Sequence, residues 1–325
     1  MAVTSENYAA TFSFWESSLD ALGYPQDLRH VVNLGRLPPP HGYRTPSWCH
    51  AIDRQLASVV EWMRAHPREL FLLTDTDIQF FPRFLATQAE WLCWMYEQEL
   101  DMLFMRERTN VVPELREGEV NAGFYVVRCN ERTIQFWERV LADELAHPKL
   151  DGYPPYTDQY HINHALRYRR GAFPQEGTFG VRWATIPDLH CIWSEPESAE
   201  ELAAAAFHHA VNTGDKPRLL QKVRSLALEH QGPWPCSGPP SGAAVASGAA
   251  TAARLRALAV ALAALRAEGG RSRAGPAAAA SERLLGEVHS LAAALPWRSP
   301  ESSDPIVDAG PLTCCTGCSA LATSW

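Results

Sequence analysis

The sequence predicts an α/β fold with a mainly parallel sheet flanked by helices, followed by a low-complexity C-terminal tail. Three observations predict it. Up to about residue 235, apolar runs of strand length alternate with stretches whose apolar residues recur at helical spacing, the pattern of strands connected through helices. One run, Leu70 to Thr74 (LFLLT), is continuously apolar, as expected of a strand buried on both faces. Beyond residue 235 there is no Phe, Tyr or Lys, and Ala supplies 24 of 90 residues. Such a segment buries too little apolar surface to offset its ordering entropy. The expected organisation is a folded domain over 1–235 and an Ala/Gly/Ser/Pro-rich tail over 236–325, disordered with transient helices at 255–265 and 281–295.

The elements follow in order. Met1 to Ser5 reads as the end of a short strand. Tyr8, Phe12, Trp15, Leu19 and Leu22 then step by four, three, four and three, one face of a helix that Gly23 stops. Arg29 to Leu34 is a short strand ended by Gly35, and Pro38, Pro39 and Pro40 mark a loop. Ile52, Leu56, Val59, Val60 and Met63 form a second helical face, closed before Pro67. After the strand at Leu70 come strand candidates at Leu100 to Met105 and at Val120 to Val127. The last is followed by a helix carrying Ile134, Trp137, Leu141 and Leu145. Parallel sheets of this kind place ligands at the carboxyl ends of their strands.

Composition bounds the function. The chain has 325 residues, is 46% hydrophobic and carries a net charge of −8, so it has the material for a large core and no bulk attraction to nucleic acid. An acidic chain that handles a phosphorylated substrate needs a local cation, from a metal or a placed Lys or Arg. Eight cysteines, three of them at 314, 315 and 318, show neither a zinc spacing nor a dense disulfide framework. No stretch approaches the roughly 20 apolar residues that span a bilayer, and no signal peptide is visible.

The strand LFLLT runs straight into Asp75-Thr76-Asp77. Residues two apart in an extended chain point the same way, so both carboxylates can face one point, where hard oxygen ligands suit Mn²⁺ or Mg²⁺. A solvated turn is the plain alternative for these residues alone. Asn121-Ala122-Gly123 opens the strand VNAGFYVV, and Gly there permits close approach to the backbone. Thr157 reads as the N-cap of a helix that places Asp158 and Gln159 at its positive end. Phe207-His208-His209 follows a helical Ala run, with Gly214 and Lys216 soon after. Adjacent residues of a strand face opposite ways, so only one of the two histidines can join a cation site.

In order, AVTSENY, LLTDTDIQFF, VNAGFYVVRCNERTIQFWERV, TDQYHINHAL and FHHAVNTGDK resemble the nucleotide-diphospho-sugar transferase family of GT-A glycosyltransferases, which includes plant cell-wall xylosyltransferases. The resemblance covers about residues 1–225. It implies a Rossmann-like GT-A sheet and transfer of a sugar from a nucleoside-diphosphate-sugar, a UDP-sugar above all, to a glycan or protein hydroxyl, with retention of configuration. It implies that Asp75 and Asp77 form the DxD motif that holds Mn²⁺ (or Mg²⁺), with His208 as third ligand on its spacing to Gly214 and His209 in reserve. It implies that Thr4, Ser5, Asn7, Asp75, Asn121, Gly123, Gly214 and Lys216 bind the donor and that Asp158 and Gln159 reach the reacting sugar. Golgi placement, common in the family, would require an N-terminus longer than this one. Two other functions remain open at this point. One is an aspartate-nucleophile phosphatase, although Gln79 stands where that class wants Thr or Val. The other is a non-catalytic nucleotide-sugar-binding module.

Overall fold

A computed structural model describes residues 1–40, 42, 45–108, 119–147, 157–168, 173–211 and 213–234. The tail, with its transient helices and Cys314, Cys315 and Cys318, lies outside the described residues, as does Asn212.

A large sheet forms the frame. Strand β1 (Ala2–Thr4) pairs in parallel with β2 (Val31–Asn33). Two hydrogen bonds join β1 to β3 (Leu70–Thr74): the Met1 ammonium donates to Leu72 O at 2.6 Å, and Thr74 N donates to Met1 O at 3.1 Å. Next come β6 (Val120–Arg128), β5 (Met102–Arg106), β8 (Arg182–Thr185) and the short β7 (Gln175–Glu176). Strands β1, β2, β3, β5 and β8 run one way. The sheet is nevertheless mixed, because β6 lies antiparallel to both β3 and β5, and β7 antiparallel to β8. The sheet is mainly parallel as expected, with β6 the antiparallel strand at its centre.

Helices cover both faces. Pleating sends Leu103, Phe124 and Val126 toward α1 (Ala9–Ala21) and α3 (Phe84–Glu97), where they pack with Trp15, Leu19, Phe84 and Trp91. The alternate residues Phe71, Leu73, Phe104, Tyr125 and Val127 meet Leu56, Val59 and Met63 of α2 (Pro46–Ala65) and Phe136, Trp137 and Val140 of α4 (Glu131–Ala146). Each such side chain contributes ~1.5–3 kcal/mol by leaving water. Leu70 and Leu72 depart from the expected full burial: they line a cavity of about 340 Å³ beneath β1 and β3.

Local chemistry sets the helix ends. Gly23, at φ 67°, closes α1, with Gly23 N donating to Asp20 O and Tyr24 N to Leu19 O, both at 2.9 Å. That left-handed turn is one glycine adopts without a Cβ penalty. Thr45 caps α2 before Pro46, and Asn130 with Thr133 forms a reciprocal capping pair on α4. Helix α5 (Asp158–Leu166) starts where expected, although the Thr157 hydroxyl makes no cap bond.

A second, three-stranded sheet stands at the carboxyl edge of the first. In it β10 (Phe207–His209) pairs antiparallel with β4 (Ile78–Phe80) and parallel with β9 (Cys191–Trp193). Helices α6 (Ala199–Ala204) and α7 (Lys216–Gln231) pack behind it around Phe81, Leu202, Leu219, Leu220 and Val223. No described helix is long and apolar enough to cross a membrane.

Candidate metal and donor site

The end of β3 is tied to β6 and β10 by backbone bonds. Asp75 N donates to Gly123 O at 2.7 Å, and Ala210 N donates to Asp77 O at 3.0 Å. The register of β10 against β4 sets His209 opposite Ile78 and His208 opposite Gln79. Strand alternation therefore sends His209 to the Asp75–Asp77 side. Its Nε2 stands 3.2 Å from Asp77 Oδ1 and 3.7 Å from Asp75 Oδ2, and the Trp193 ring meets the imidazole edge-on at 5.7 Å between centroids.

Among the described residues, Asp75, Asp77 and His209 form a group able to hold a metal ion, with one ligand atom from each within 4.8 Å of the others. Adjacent ligands of an octahedral ion with ~2.1 Å bonds stand ~3 Å apart, close to the spacing here. Two features fit a cation. Asp77 Oδ1 is buried without a hydrogen-bond partner, an arrangement that is costly unless a positive charge meets it. Gly123 supplies the second. A Cβ built there would lie 2.6 Å from Asp75 Oδ2 and 2.7 Å from His209 Cε1, so the ligands close over a bare backbone. Two carboxylates and one imidazole form a donor set that suits Mn²⁺.

The carboxylates differ electrostatically. Burial and the neighbouring Asp77 charge push Asp75 above the usual carboxylate range. Burial would raise Asp77 as well, yet His209 and the Lys216 ammonium beside it hold it well below that range. Lys216 opens α7, behind its N-cap Asp215, and contacts Asp77 Oδ2.

His208 does not join this group. Its Nε2–H donates to Ser194 O at 2.7 Å, so Nδ1 accepts from Gln79 Nε2 at 3.0 Å. Burial lowers its pKa to about 3, which keeps it neutral. A neutral imidazole with both nitrogens committed has no lone pair left for a metal. Of the two histidines it is therefore His209, the reserve candidate, and not the expected His208, that lies in the group able to hold a metal. Gln79 also donates to Leu220 O and accepts from Arg224, so this pair anchors α7 to β4.

The other expected residues divide into two sets. Thr4 and Ser5, at the end of β1, carry buried hydroxyls without a hydrogen-bond partner among the described residues. Asn7 accepts from Leu37 N at 2.8 Å and pins the loop above β2. Tyr8, half-buried, lies within reach of the Lys216, Asp77 and Asp75 charges. Gly214 precedes Lys216 in open space, where nothing demands a glycine.

Asn121 and Gln159 belong to a buried network that includes two acids unmarked by any motif. Gln159 Nε2 donates to Glu107 Oε2 at 3.0 Å and to Glu119 Oε1 at 2.7 Å, and Gln159 Oε1 accepts from Asn121 Nδ2 and Ala122 N. Asn121 also donates to Glu107 and accepts from Gly123 N at 2.8 Å. Asn163 clamps both backbone groups of Val120. Asp158 is buried beside this network, and burial with the Glu144 and Asp75 charges raises its pKa to about 8.

Residues 70–191 match the model of the nucleotide-diphospho-sugar transferase family. The span contains Asp75, Asp77, Asn121, Gly123, Asp158 and Gln159, while His209 and Lys216 lie beyond it. Comparison with curated proteins finds no significant match. Among solved structures, the chain is similar to a glycosyltransferase involved in the glycosylation of the major capsid of PBCV-1. The similarity is 14% identity at a TM-score of 0.42, over 69% of this chain and 98% of that one. Over residues 70–191, then, the chain is similar to the nucleotide-diphospho-sugar transferases.

Proposed function

We propose that this chain is a glycosyltransferase that moves a hexosyl or pentosyl group from a nucleoside-diphosphate-sugar, a UDP-sugar in our reading, to a hydroxyl of a glycan or protein. The observation that carries the proposal is the Asp75–Asp77–His209 group closing over Gly123 at the end of β3, at the start of the span that matches the family. Asp75, Asp77 and His209 would hold Mn²⁺ or Mg²⁺, whose charge would neutralise the departing diphosphate.

The chain's own residues do the rest. Lys216 places a second positive charge at the same point and can meet a phosphate oxygen from the rim of the site. Thr4 and Ser5, whose buried hydroxyls lack a hydrogen-bond partner among the described residues, stand at the end of β1, where a nucleoside would be received. Asn121 and Gln159, held by Glu107 and Glu119, fix the backbone that carries Gly123 and so preserve the approach to Asp75. Asp158, protonated at neutral pH, adds no charge to repel the donor. The sugar C1–oxygen bond to the diphosphate breaks, and the acceptor oxygen forms the new bond to C1. The acceptor proton passes to the leaving diphosphate, as in transfer with retention.

The test is UDP release from a panel of UDP-sugars with Mn²⁺, with and without hydroxyl acceptors. Asp77→Ala should reduce turnover at least ~10³-fold with the far-UV spectrum unchanged, since it removes both a ligand and the Lys216 partner. Full activity in that variant would refute the assignment. Hydrolysis of an aryl phosphate with Mg²⁺ but of no UDP-sugar would favour a phosphatase instead.

A further inference from the structure

Asp77 divides its carboxylate between two neighbours. Oδ1 faces His209 at 3.2 Å and lacks a hydrogen bond. Oδ2 carries the Lys216 ammonium. The Lys216 side chain is 36% exposed whereas that of Asp77 is 12% exposed, so Lys216 covers Asp77 from the solvent side, beside the equally open Asp75. Asp75 and Tyr8 also lie within reach of its charge. A cation approaching Asp75, Asp77 and His209 therefore meets a positive charge already paired with the carboxylate that it must share.

We propose that Lys216 makes cation entry and nucleoside-diphosphate binding depend on each other. Its ammonium opposes a divalent ion at Asp77 until a diphosphate draws it away. This rests on the metal and donor reading of the site given above. Two carboxylates and one ammonium leave a net charge of −1, a weak attraction for a divalent ion in a site open to water. A diphosphate reverses the balance. Its oxygens compensate the ammonium, and Lys216 reaches them by rotation about its flexible stem. The coupling is reciprocal: the factor by which UDP tightens Mn²⁺ is the factor by which Mn²⁺ tightens UDP.

The experiment compares wild type with Lys216→Met and Lys216→Arg, folded by far-UV circular dichroism. Mn²⁺ affinity is measured by electron paramagnetic resonance without and with UDP. Without UDP, Lys216→Met should bind Mn²⁺ ~10-fold more tightly, the order expected when a unit charge is removed from beside a divalent one under solvent-like screening. The tightening of Mn²⁺ by UDP should shrink correspondingly, and UDP alone should bind more weakly. Lys216→Arg, which keeps the charge, should behave as wild type. Unchanged or weaker Mn²⁺ binding by Lys216→Met, beside normal binding by wild type, overturns the coupling and leaves the site assignment standing. A wild type that binds no Mn²⁺, with or without UDP, overturns both.

Discussion

Gly123→Ala tests the geometry of the site with a single methyl group. The added Cβ would lie 2.6 Å from Asp75 Oδ2, 2.7 Å from His209 Cε1 and 2.9 Å from Asn121 Oδ1, against ordinary contact from 3.4 Å outward. The deficits are 0.8, 0.7 and 0.5 Å. The backbone cannot retreat cheaply, because Gly123 O accepts from Asp75 N and Gly123 N donates to Asn121 Oδ1. The side chains must move, and two of the three belong to the proposed metal group. Functional metal sites hold their distances within ~0.2 Å, so displacements of this size should weaken Mn²⁺ binding ~10–100-fold, the cost of disturbing a ligand's support. Overpacking should also lower stability by ~1–3 kcal/mol. Mn²⁺ titration by electron paramagnetic resonance reads the first effect and urea denaturation the second. A variant that binds Mn²⁺ within threefold of wild type would refute the reasoning, because the ligands would then not close over that backbone.

Two more outcomes follow from the same site. His209→Ala should lose Mn²⁺ binding by more than ~10-fold with little loss of stability, whereas His208→Ala should cost ~2–4 kcal/mol in urea denaturation by orphaning Gln79 and Ser194 O and should leave Mn²⁺ affinity near wild type; the opposite pattern would return the ligand role to His208. Asp158 titrates near 8 when folded and near ~4 when unfolded. Between those values the unfolded chain has lost a proton that the folded chain keeps, so this residue's contribution to stability falls as pH rises from ~4 to ~8, by at most ~5 kcal/mol. Asp158→Asn should flatten that slope in urea denaturation at pH 5 to 8, and an unchanged slope would contradict the buried, protonated carboxyl.

The elements legible in the sequence were those with one clear period. Strand β3 falls on Leu70–Thr74 as its apolar run indicates, and α2 follows its spaced apolar face. Helix α4 forms where expected but buries Phe136, Trp137 and Val140, leaving Leu145 of the expected face exposed. Helix α3 was not legible. Phe84, Leu85, Trp91, Cys93 and Met95 are all buried, and a helix apolar on several sides has no stripe to read. Strands β4, β8 and β9 have three or four residues each, too few for alternation to show. Helix α7 carries a signal in Leu219, Leu220, Val223 and Ala227, apolar residues at helical spacing.

The site was legible to the extent that its chemistry is contiguous in the chain. Asp75 and Asp77 follow β3 directly, although it is the turn at Thr76–Asp77 between β3 and β4, not strand alternation, that brings both carboxylates together. Between His208 and His209 the choice depended on a partner strand. Counting residues to Gly214 favours His208, but the pairing of His209 with Ile78 and of His208 with Gln79 fixes which imidazole faces Asp77, and that register is absent from local sequence. Glu107 and Glu119 were invisible for a related reason. Acids that flank apolar strands are usually solvated, and only the packing of α5 against β6 brings Gln159 over them. That contact changes what Asn121 and Gln159 can do. With their amides already engaged to Glu107, Glu119, Ala122 N and Gly123 N, they hold the strand still beneath Asp75, and in the proposed function the positive charge that meets a diphosphate comes from Lys216 and from a cation held by Asp75, Asp77 and His209.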